Sequence, residues 1–411
     1  MQRLTADSLV LLCLASRALG ANQCGWNPSS ISALERSPGC PLLLDESVGS
    51  SPSSWSPWTH QPYCAGSPYC IFTNAMMPAR DGISILTTPE LAASGTSPFQ
   101  HVFDAPFPDR SKVSNNNEPL YEIKEVQGKG KGAIATRRIA KDMVIMIDPA
   151  IMLSPMQYPG DVPWQKIQDM LRVGVEQLRD PERVTGLGKK GTSGASPVED
   201  VFLTNSFAVS VGGALYSGLF PELSRLNHDC RPNARIYFSE KAMTMVVWSL
   251  RDIEPGEEIT ISCNNPNLHT GFTYQERQRT TADLWGFHCN CPLCSVNPEA
   301  RAISDERRTS IRVLRAEIVQ AINSGNLTRA LEIDEELIDL VSKEDMTPHY
   351  RDYFQISAQL YNVVGNLDKA EEYVKIVLEE LQRYGWPGPE EETTIDKFKR
   401  LLQSIEGRRR N

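Results

Sequence analysis

Three thiols fall within six residues in Cys289-Asn290-Cys291-Pro292-Leu293-Cys294. Thiols this close are too crowded for a disulfide framework, but a tight turn can aim all three at one metal ion. Tetrahedral zinc takes four ligands, and the best candidate for the fourth is Cys230, 59 residues before Cys289. A site of four thiolates keeps no open position, so such a metal would hold structure and not do chemistry. The alternative is a set of unrelated buried thiols. Cys230 itself lies in Asn227-His228-Asp229-Cys230-Arg231-Pro232-Asn233, which follows the apolar Leu223 and Leu226. Pro232 forbids helix continuation there. The segment therefore reads as a polar loop whose side chains can hydrogen-bond a ligand, although His228 alone fits a structural histidine as readily.

The elements that must hold these loops are short. Residues 69–72 and 82–87 read as two strands around a loop, and 88–117 as a Pro/Ser/Asn-rich linker. Tyr121 to Val126 alternates as a strand does, and Gly128-Lys129-Gly130-Lys131-Gly132 is a turn. Ala133 to Ala135, Met143 to Asp148, Ala234 to Phe238, Met243 to Leu250 and Ile259 to Cys263 read as further strands. Trp164, Ile167, Leu171, Val175 and Leu178 recur at helical spacing. Residues 186–198 are a Gly/Ser-rich loop, and Phe202 to Val211 fits helix and strand equally. Many short strands with irregular links predict a β-rich α+β domain over about 118–295.

The last hundred residues change texture. Ile311, Leu314, Ile318 and Ile322 form one helical stripe, and Leu367, Ala370, Val374, Val377 and Leu381 another. Gly325-Asn326-Leu327-Thr328-Arg329-Ala330 is echoed by Gly365-Asn366-Leu367-Asp368-Lys369-Ala370, 40 residues later. Gly-Asn ends one helix, and the alanine allows close packing at the start of the next. Two helices per repeat suggest a tetratricopeptide-like domain over 300–411, either a peptide-binding array or a buttress for the domain before it.

The chain carries 51 acidic and 42 basic residues, a net charge of −9, which argues against direct nucleic-acid binding. The dense basic run Arg408-Arg409-Arg410 reads as a solvated tail. At the N-terminus, Arg3, the apolar run Ser8 to Ala15 and Ala18-Leu19-Gly20 fit a signal peptide over 1–20. That run is too short to span a bilayer, and no later segment reaches about 18 apolar residues. Residues 21–117 are rich in Cys, Pro and Ser. If the signal holds, Cys24, Cys40, Cys64 and Cys70 form two disulfides in one of three pairings, and the protein enters the secretory pathway. Otherwise the four are free thiols, and a cytoplasmic or nuclear location follows.

Taken as a set, these motifs resemble the SET family of protein lysine methyltransferases, in which an N-H-x-C-x-P-N segment and a C-x-C-x-C-type post-SET cluster share one zinc. Gly130-Lys131-Gly132 resembles the family's Gly-rich turn along S-adenosylmethionine. Thr204-Asn205-Ser206-Phe207 resembles the segment after its inserted helices. Gly256-Glu257-Glu258-Ile259 resembles its G-E-E/Q signature, and Trp285-Gly286-Phe287 the aromatic pair before its cysteines. The resemblance covers about 118–295, with a helical insertion at about 154–220, and looks most like fungal members with tetratricopeptide-like C-termini.

The resemblance implies an S-adenosylmethionine site built from Gly130, Lys131, Gly132, Asn227, His228, Trp285 and Phe287, and a structural zinc on Cys230, Cys289, Cys291 and Cys294. It implies a protein or peptide lysine, or another amine, as methyl acceptor. One departure matters. The family carries a tyrosine at the end of the strand after G-E-E, where this chain has Cys263, and a thiol lacks the phenol's reach and hydrogen bond. Tyr274 is a candidate substitute, and Trp285 stands where many relatives carry a second tyrosine. Two rival readings follow: a weak or inactive SET scaffold that binds a partner, and a SET fold recruited to a small-molecule pathway.

Overall fold

The first apolar runs pair as an antiparallel hairpin, β1 (Cys70–Asn74) with β2 (Ile83–Thr87), in the register Phe72 to Ile85. Cys64 is disulfide-bonded to Cys70 at its foot. The computed structural model describes residues 57–77, 82–93, 99, 118–160, 162–188, 196–262, 271–346, 350–383 and 389–410. The segment read as a signal, residues 1–20, lies outside these, as do Cys24, Cys40 and Cys263.

After a short helix α1 (Pro89–Ala93) come β3 (Tyr121–Val126), β4 (Gly130–Ala135), β5 (Val144–Pro149) and β6 (Met152–Pro155). Helices α2 (Trp164–Glu176), α3 (Glu182–Thr185) and α4 (Pro197–Asn205) follow, then β7 (Phe207–Val211), β8 (Ala214–Leu219) and a 3-10 turn at Leu223–Arg225. Strands β9 (Asn227–His228), β10 (Ala234–Ser239), β11 (Thr244–Ser249) and β12 (Glu258–Ile261) complete the β-rich part. They form three sheets, in the orders β1-β2-β6-β8-β7, β10-β11-β5 and β3-β4-β12-β9. The fold is α+β.

The ambiguous window 202–211 contains a change of period. Helix α4 ends at Asn205, and Ser206 is extended, with φ −78° and ψ 150°. Its Oγ donates to the Phe202 carbonyl at 2.7 Å, satisfying an acceptor the helix leaves open. The chain then continues as β7. Helix α2 lies across the first sheet, where Ile167, Met170, Leu171 and Val175 share a core with Ile71, Leu86, Met152 and Leu219. Gly174 is required at that crossing, because a Cβ there would stand 2.8 Å from Ile71 Cγ1.

Beyond the sheets come α5 (Tyr274–Trp285), α6 (Pro292–Ser295), α7 (Pro298–Asn323), α8 (Leu327–Lys343), α9 (Tyr350–Val363), α10 (Leu367–Arg383) and α11 (Pro389–Arg410). The Gly-Asn echo is a repeated turn. Gly325 and Gly365 are left-handed, at φ +73° and +83°. The N–H of Asn326 donates to Ala321 O and that of Asn366 to Tyr361 O, each at 2.9 Å. This bond closes the preceding helix. Asn326 Oδ1 and Asn366 Oδ1 then cap α8 and α10 by accepting from the Arg329 and Lys369 N–H groups. Ala330 and Ala370 are fully buried behind the turns. The C-terminal basic run is not a free tail. Arg408 donates to Asn362, and Arg409 to Asp368 and Glu371, because α11 folds back onto the acidic start of α10. Among the described residues, no helix is long and apolar enough to cross a membrane.

Candidate cofactor cavity and metal centre

The sulfurs of Cys230, Cys289, Cys291 and Cys294 all lie within 4.8 Å of one another. Cys230 Sγ is 3.9 Å from that of Cys289 and 3.7 Å from that of Cys294. A tetrahedron with metal–sulfur bonds of about 2.3 Å has edges of about 3.8 Å, so the donor set and its spacing fit zinc. Hydrogen bonds from the neighbouring thiols, Cys230 first, lower Cys291 to about 6 and hold Cys294 far below the usual thiol range. The same contacts, led by Cys289, push Cys230 up. Cys289, Cys291 and Cys294 are buried and Cys230 half-buried, which closes the site to substrate.

Each loop carrying a thiol is pinned through its backbone. Gln278 Nε2 donates to Cys289 O at 2.7 Å, Arg301 Nη2 to Cys294 O at 3.1 Å and Arg308 Nη2 to Cys230 O at 3.3 Å. Asp229 Oδ1 accepts from the Arg231 N–H at 2.7 Å, turning the chain after His228. Asn233, only 2% exposed, accepts from the Thr260 N–H and donates to Glu258 O, at 2.8 Å each. The segment is thereby laid beside β12, to which β9 pairs in parallel, Asn227 to Thr260 and His228 to Ile261.

A cavity of about 510 Å³ opens against this segment. Its wall includes Gly130, Lys131, Asn227, His228, Trp285 and Phe287, six of the seven residues assigned to the cofactor from sequence. The seventh, Gly132, does not line the cavity. A Cβ there would lie 2.8 Å from both Asn227 Nδ2 and Glu258 Oε1, so its bareness lets those groups pack. Asn227 Nδ2 donates to Glu258 Oε1 at 2.8 Å and Lys131 O at 3.2 Å, and Lys129 Nζ meets Glu258 Oε2 at 2.7 Å. With both amide protons used, Asn227 offers a ligand its Oδ1, an acceptor. Burial lowers His228 to about 4, with Lys129 adding to the effect, so the imidazole is neutral at physiological pH. Gly286 ends α5 in the left-handed region, φ 70°, and brings Trp285 and Phe287 to the same cavity from either side of the bend.

Other wall residues were given no cofactor role from the sequence. They include Lys129, Leu187, Arg225, His288 and Asn290. Arg225 Nη2 donates to Gly186 O at 3.3 Å, tying the end of α3 to the wall. Buried Asp148 accepts from the Glu222 and Leu223 N–H groups at 2.8 Å each and aims the 3-10 turn into Asn227. Tyr274 is not among the lining residues. Its N–H donates to Asp305 Oδ1 at 2.7 Å, and its ring packs on the cysteine cluster beneath the Arg301 guanidinium, 3.9 Å away. The expectation that its phenol substitutes at the reaction centre gains no support from this position, which is set by Tyr274 starting α5 on the side of the metal loops. Cys263 falls outside the described residues.

Residues 130–264 match the SET domain family. Over 193 residues the chain is 28% identical to histone-lysine N-methyltransferase set5 of Schizosaccharomyces pombe, covering 47% of this chain and 56% of that protein. It is 39% identical over 79 residues to histone-lysine N-methyltransferase SMYD3 of Homo sapiens, covering 19% and 17%. It is 34% identical over 94 residues to protein-lysine N-trimethyltransferase SMYD5 of Mus musculus, covering 22% and 21%. The matched stretch thus spans little more than half of the first relative and a smaller part of the other two. The chain carries a SET domain homologous to those of the fungal SET5 and the SMYD lysine methyltransferases, with a SMYD-like cysteine cluster and a helical C-terminus.

Proposed function

We propose that this SET domain binds S-adenosylmethionine in the 510 Å³ cavity and directs its methyl group to an amine, a protein lysine first among the candidates. One observation carries the reading. The Gly130-Lys131 turn, the Asn227-His228 strand and the Trp285 and Phe287 side chains, far apart in sequence, converge on that one cavity. When bound, the cofactor supplies an electrophilic methyl group. Asn227 Oδ1 would accept from its ammonium, Lys131 would face its carboxylate, and Trp285 and Phe287 would cover its flat base. Transfer is an in-line displacement, so the protein's work is orientation and exclusion of water. The acceptor amine must be neutral to attack, which a dry apolar channel favours. The four thiols hold one structural zinc that fixes the loop bearing Phe287 to the loop bearing His228.

Calorimetry with S-adenosylmethionine on zinc-loaded protein tests this. Asn227→Ala and His228→Ala are each expected to weaken binding by about tenfold or more, the equivalent of losing about one buried hydrogen bond. Equal affinity in both variants and the wild type would remove these residues from the site.

Cys263 supports the second reading, a domain that binds cofactor but transfers slowly. The phenol that relatives carry there aligns the nitrogen, a contact made at the reacting centre, so its loss lowers rate more than affinity. Wild-type single turnover on lysine peptides is expected to be slow and to rise in Cys263→Tyr with cofactor affinity unchanged. Robust wild-type turnover that Cys263→Tyr does not improve would exclude position 263 as the limit. Entry into the secretory pathway remains a further proposal. It rests on the composition of residues 1–20 and accords with the Cys64–Cys70 disulfide, and an intact Met1 on the mature chain would reject it. The repeated hairpins α7–α8 and α9–α10 are read as a tetratricopeptide-like buttress for the domain.

A further inference from the structure

Glu344 caps the end of α8 and is fully buried. Carboxylates are almost never buried to this degree unless paired, and the pairing here crosses from one part of the molecule to another. Glu344 Oε1 accepts from Ser304 Oγ at 2.5 Å and Arg308 Nε at 2.8 Å, and lies 2.9 Å from Arg231 Nη2. Ser304 and Arg308 belong to α7. Arg231 belongs to the loop after β9, next in sequence to Cys230. Arg308, itself only 1% exposed, also donates to the Cys230 carbonyl. One carboxylate at the far end of the first C-terminal hairpin therefore holds both the side chain after Cys230 and the arginine on its backbone.

The hairpin does not need this charge to pack. Ile311, Leu314 and Ile318 of α7 already meet Ile333, Leu337 and Val341 of α8 in a closed apolar core. A carboxylate taken out of water is costly unless its partners are well placed; Ser304, Arg307 and Arg308 are its partners on α7, and Arg231, together with the Cys230 carbonyl that Arg308 holds, connects it to the loop. The loop Asn227–Asn233 has little apolar anchorage of its own: the cluster beneath it consists of the cysteines, Leu293, and the partly buried Tyr274 and Phe287.

We propose that Glu344 is a positioning residue for the cavity. Through Arg231 and Arg308 it sets the loop that carries Asn227, His228 and Cys230, so both zinc retention and cofactor affinity depend on the end of α8. The cofactor half of this inference rests on the reading of the cavity given above; the zinc half does not.

The test uses the full-length, zinc-loaded chain. Two quantities are measured in Glu344→Gln: the rate of zinc release to an excess of chelator, and the affinity for S-adenosylmethionine by calorimetry. Partners outside a metal's own ligands are worth about 10–100-fold in affinity, so release about tenfold faster and cofactor binding several-fold weaker are expected. Leu337→Ala serves as the control. It damages the α7–α8 core at least as much but leaves the ion pairs in place, and is expected to lower the unfolding temperature without changing either readout. Arg231→Lys keeps the charge but loses the planar fork, and decides the matter if Glu344→Gln does not fold; the same changes, each a few-fold, are expected. Unchanged zinc release and affinity in Glu344→Gln overturn the proposal, as does a Leu337→Ala variant that shifts both readouts equally, since that is general destabilisation. Should the wild type bind no S-adenosylmethionine, the reading of the cavity fails while the zinc-release comparison still judges the clamp.

Discussion

The C-terminal helices and the loops around the four thiols meet along α7, yet different forces hold them. In the helices, buried aliphatic side chains recur at helical spacing, and α7–α8 and α9–α10 close with the same Gly-Asn turn. Each such buried side chain contributes about 1.5–3 kcal/mol, and the turns need only neighbours in sequence. The thiol loops have neither advantage. Leu293 is the one buried side chain in their cluster besides cysteines, and Cys230 reaches Cys294 across 64 residues. The zinc proposed for this cluster would supply there what an apolar core supplies elsewhere. Order built from local periodicity survives local damage, whereas order built on one ion is lost at once.

The largest effect should follow from removing that ion. In Cys291→Ser, or after chelation, amide protection in residues 227–233 and 287–295 is expected to collapse, and cofactor affinity to fall by about a hundredfold or more. Helices α9 to α11, whose core of Val374, Val377 and Phe398 is a cluster separate from that of the thiols, should stay protected. Hydrogen exchange read by mass spectrometry resolves both regions in one experiment. Loss of protection throughout α9–α11 would show that the two regions are one cooperative unit.

The same division explains what could be read from the sequence. Gly325-Asn326 and Gly365-Asn366 were legible as turns because every group they use lies within five residues. Gly130, Lys131, Asn227, His228, Trp285 and Phe287 could be picked out as a set because compact motifs carry them, and they line one cavity. Arg225, Lys129 and Asp148 were not, since each acts through a partner that only the fold supplies: the Gly186 carbonyl, the Glu258 carboxylate, and the 3-10 turn before Asn227. Gly132 and Gly130 looked equivalent in the Gly-x-Gly turn. Yet Gly130 has open space where its Cβ would stand, at a left-handed φ, while Gly132 is needed for a close approach. The partners of Arg409 could not be read from the sequence, because the acidic start of α10 that it meets lies some forty residues away.

A smaller effect tests the helices from inside. Asp334 of α8 is fully buried, and burial pushes its carboxyl up to about 7, with the Ser357 hydroxyl of α9 opposing. Below the unfolded value of 3.8 the group is protonated in both states and costs nothing. As pH rises toward 7 the unfolded chain ionises first, so stability is lost across that interval and stays low above it. The full shift corresponds to a loss on the order of 4 kcal/mol. Asp334→Asn is expected to abolish this slope, with exchange rates in α8 and α9 nearly independent of pH-driven stability between about pH 4 and 7 once intrinsic rates are divided out. The thiol loops should respond in the opposite sense over that range, because their ligands must lose protons to hold the metal. A slope that persists in Asp334→Asn would place the titrating group elsewhere.

The smallest effect concerns whether the two hairpins are truly equivalent. An alanine Cβ at Gly325 or Gly365 meets nothing within 4 Å, so neither substitution clashes with a neighbour. What remains is the backbone. Both residues sit in the left-handed region, at φ +73° and +83°, which a side chain disfavours by about 1–2 kcal/mol. Gly325→Ala and Gly365→Ala should therefore destabilise by similar amounts, and their sum should describe the double variant, since the turns share no partner. Asparagine, which tolerates the left-handed region better, should cost less than alanine at each position. Chemical unfolding of the full chain, followed by exchange in α8 and α10, measures the five variants against the wild type. Unequal costs would mean that one turn is also held from outside, and the natural suspect is the α7–α8 turn, whose hairpin is tied to the metal loop through Glu344.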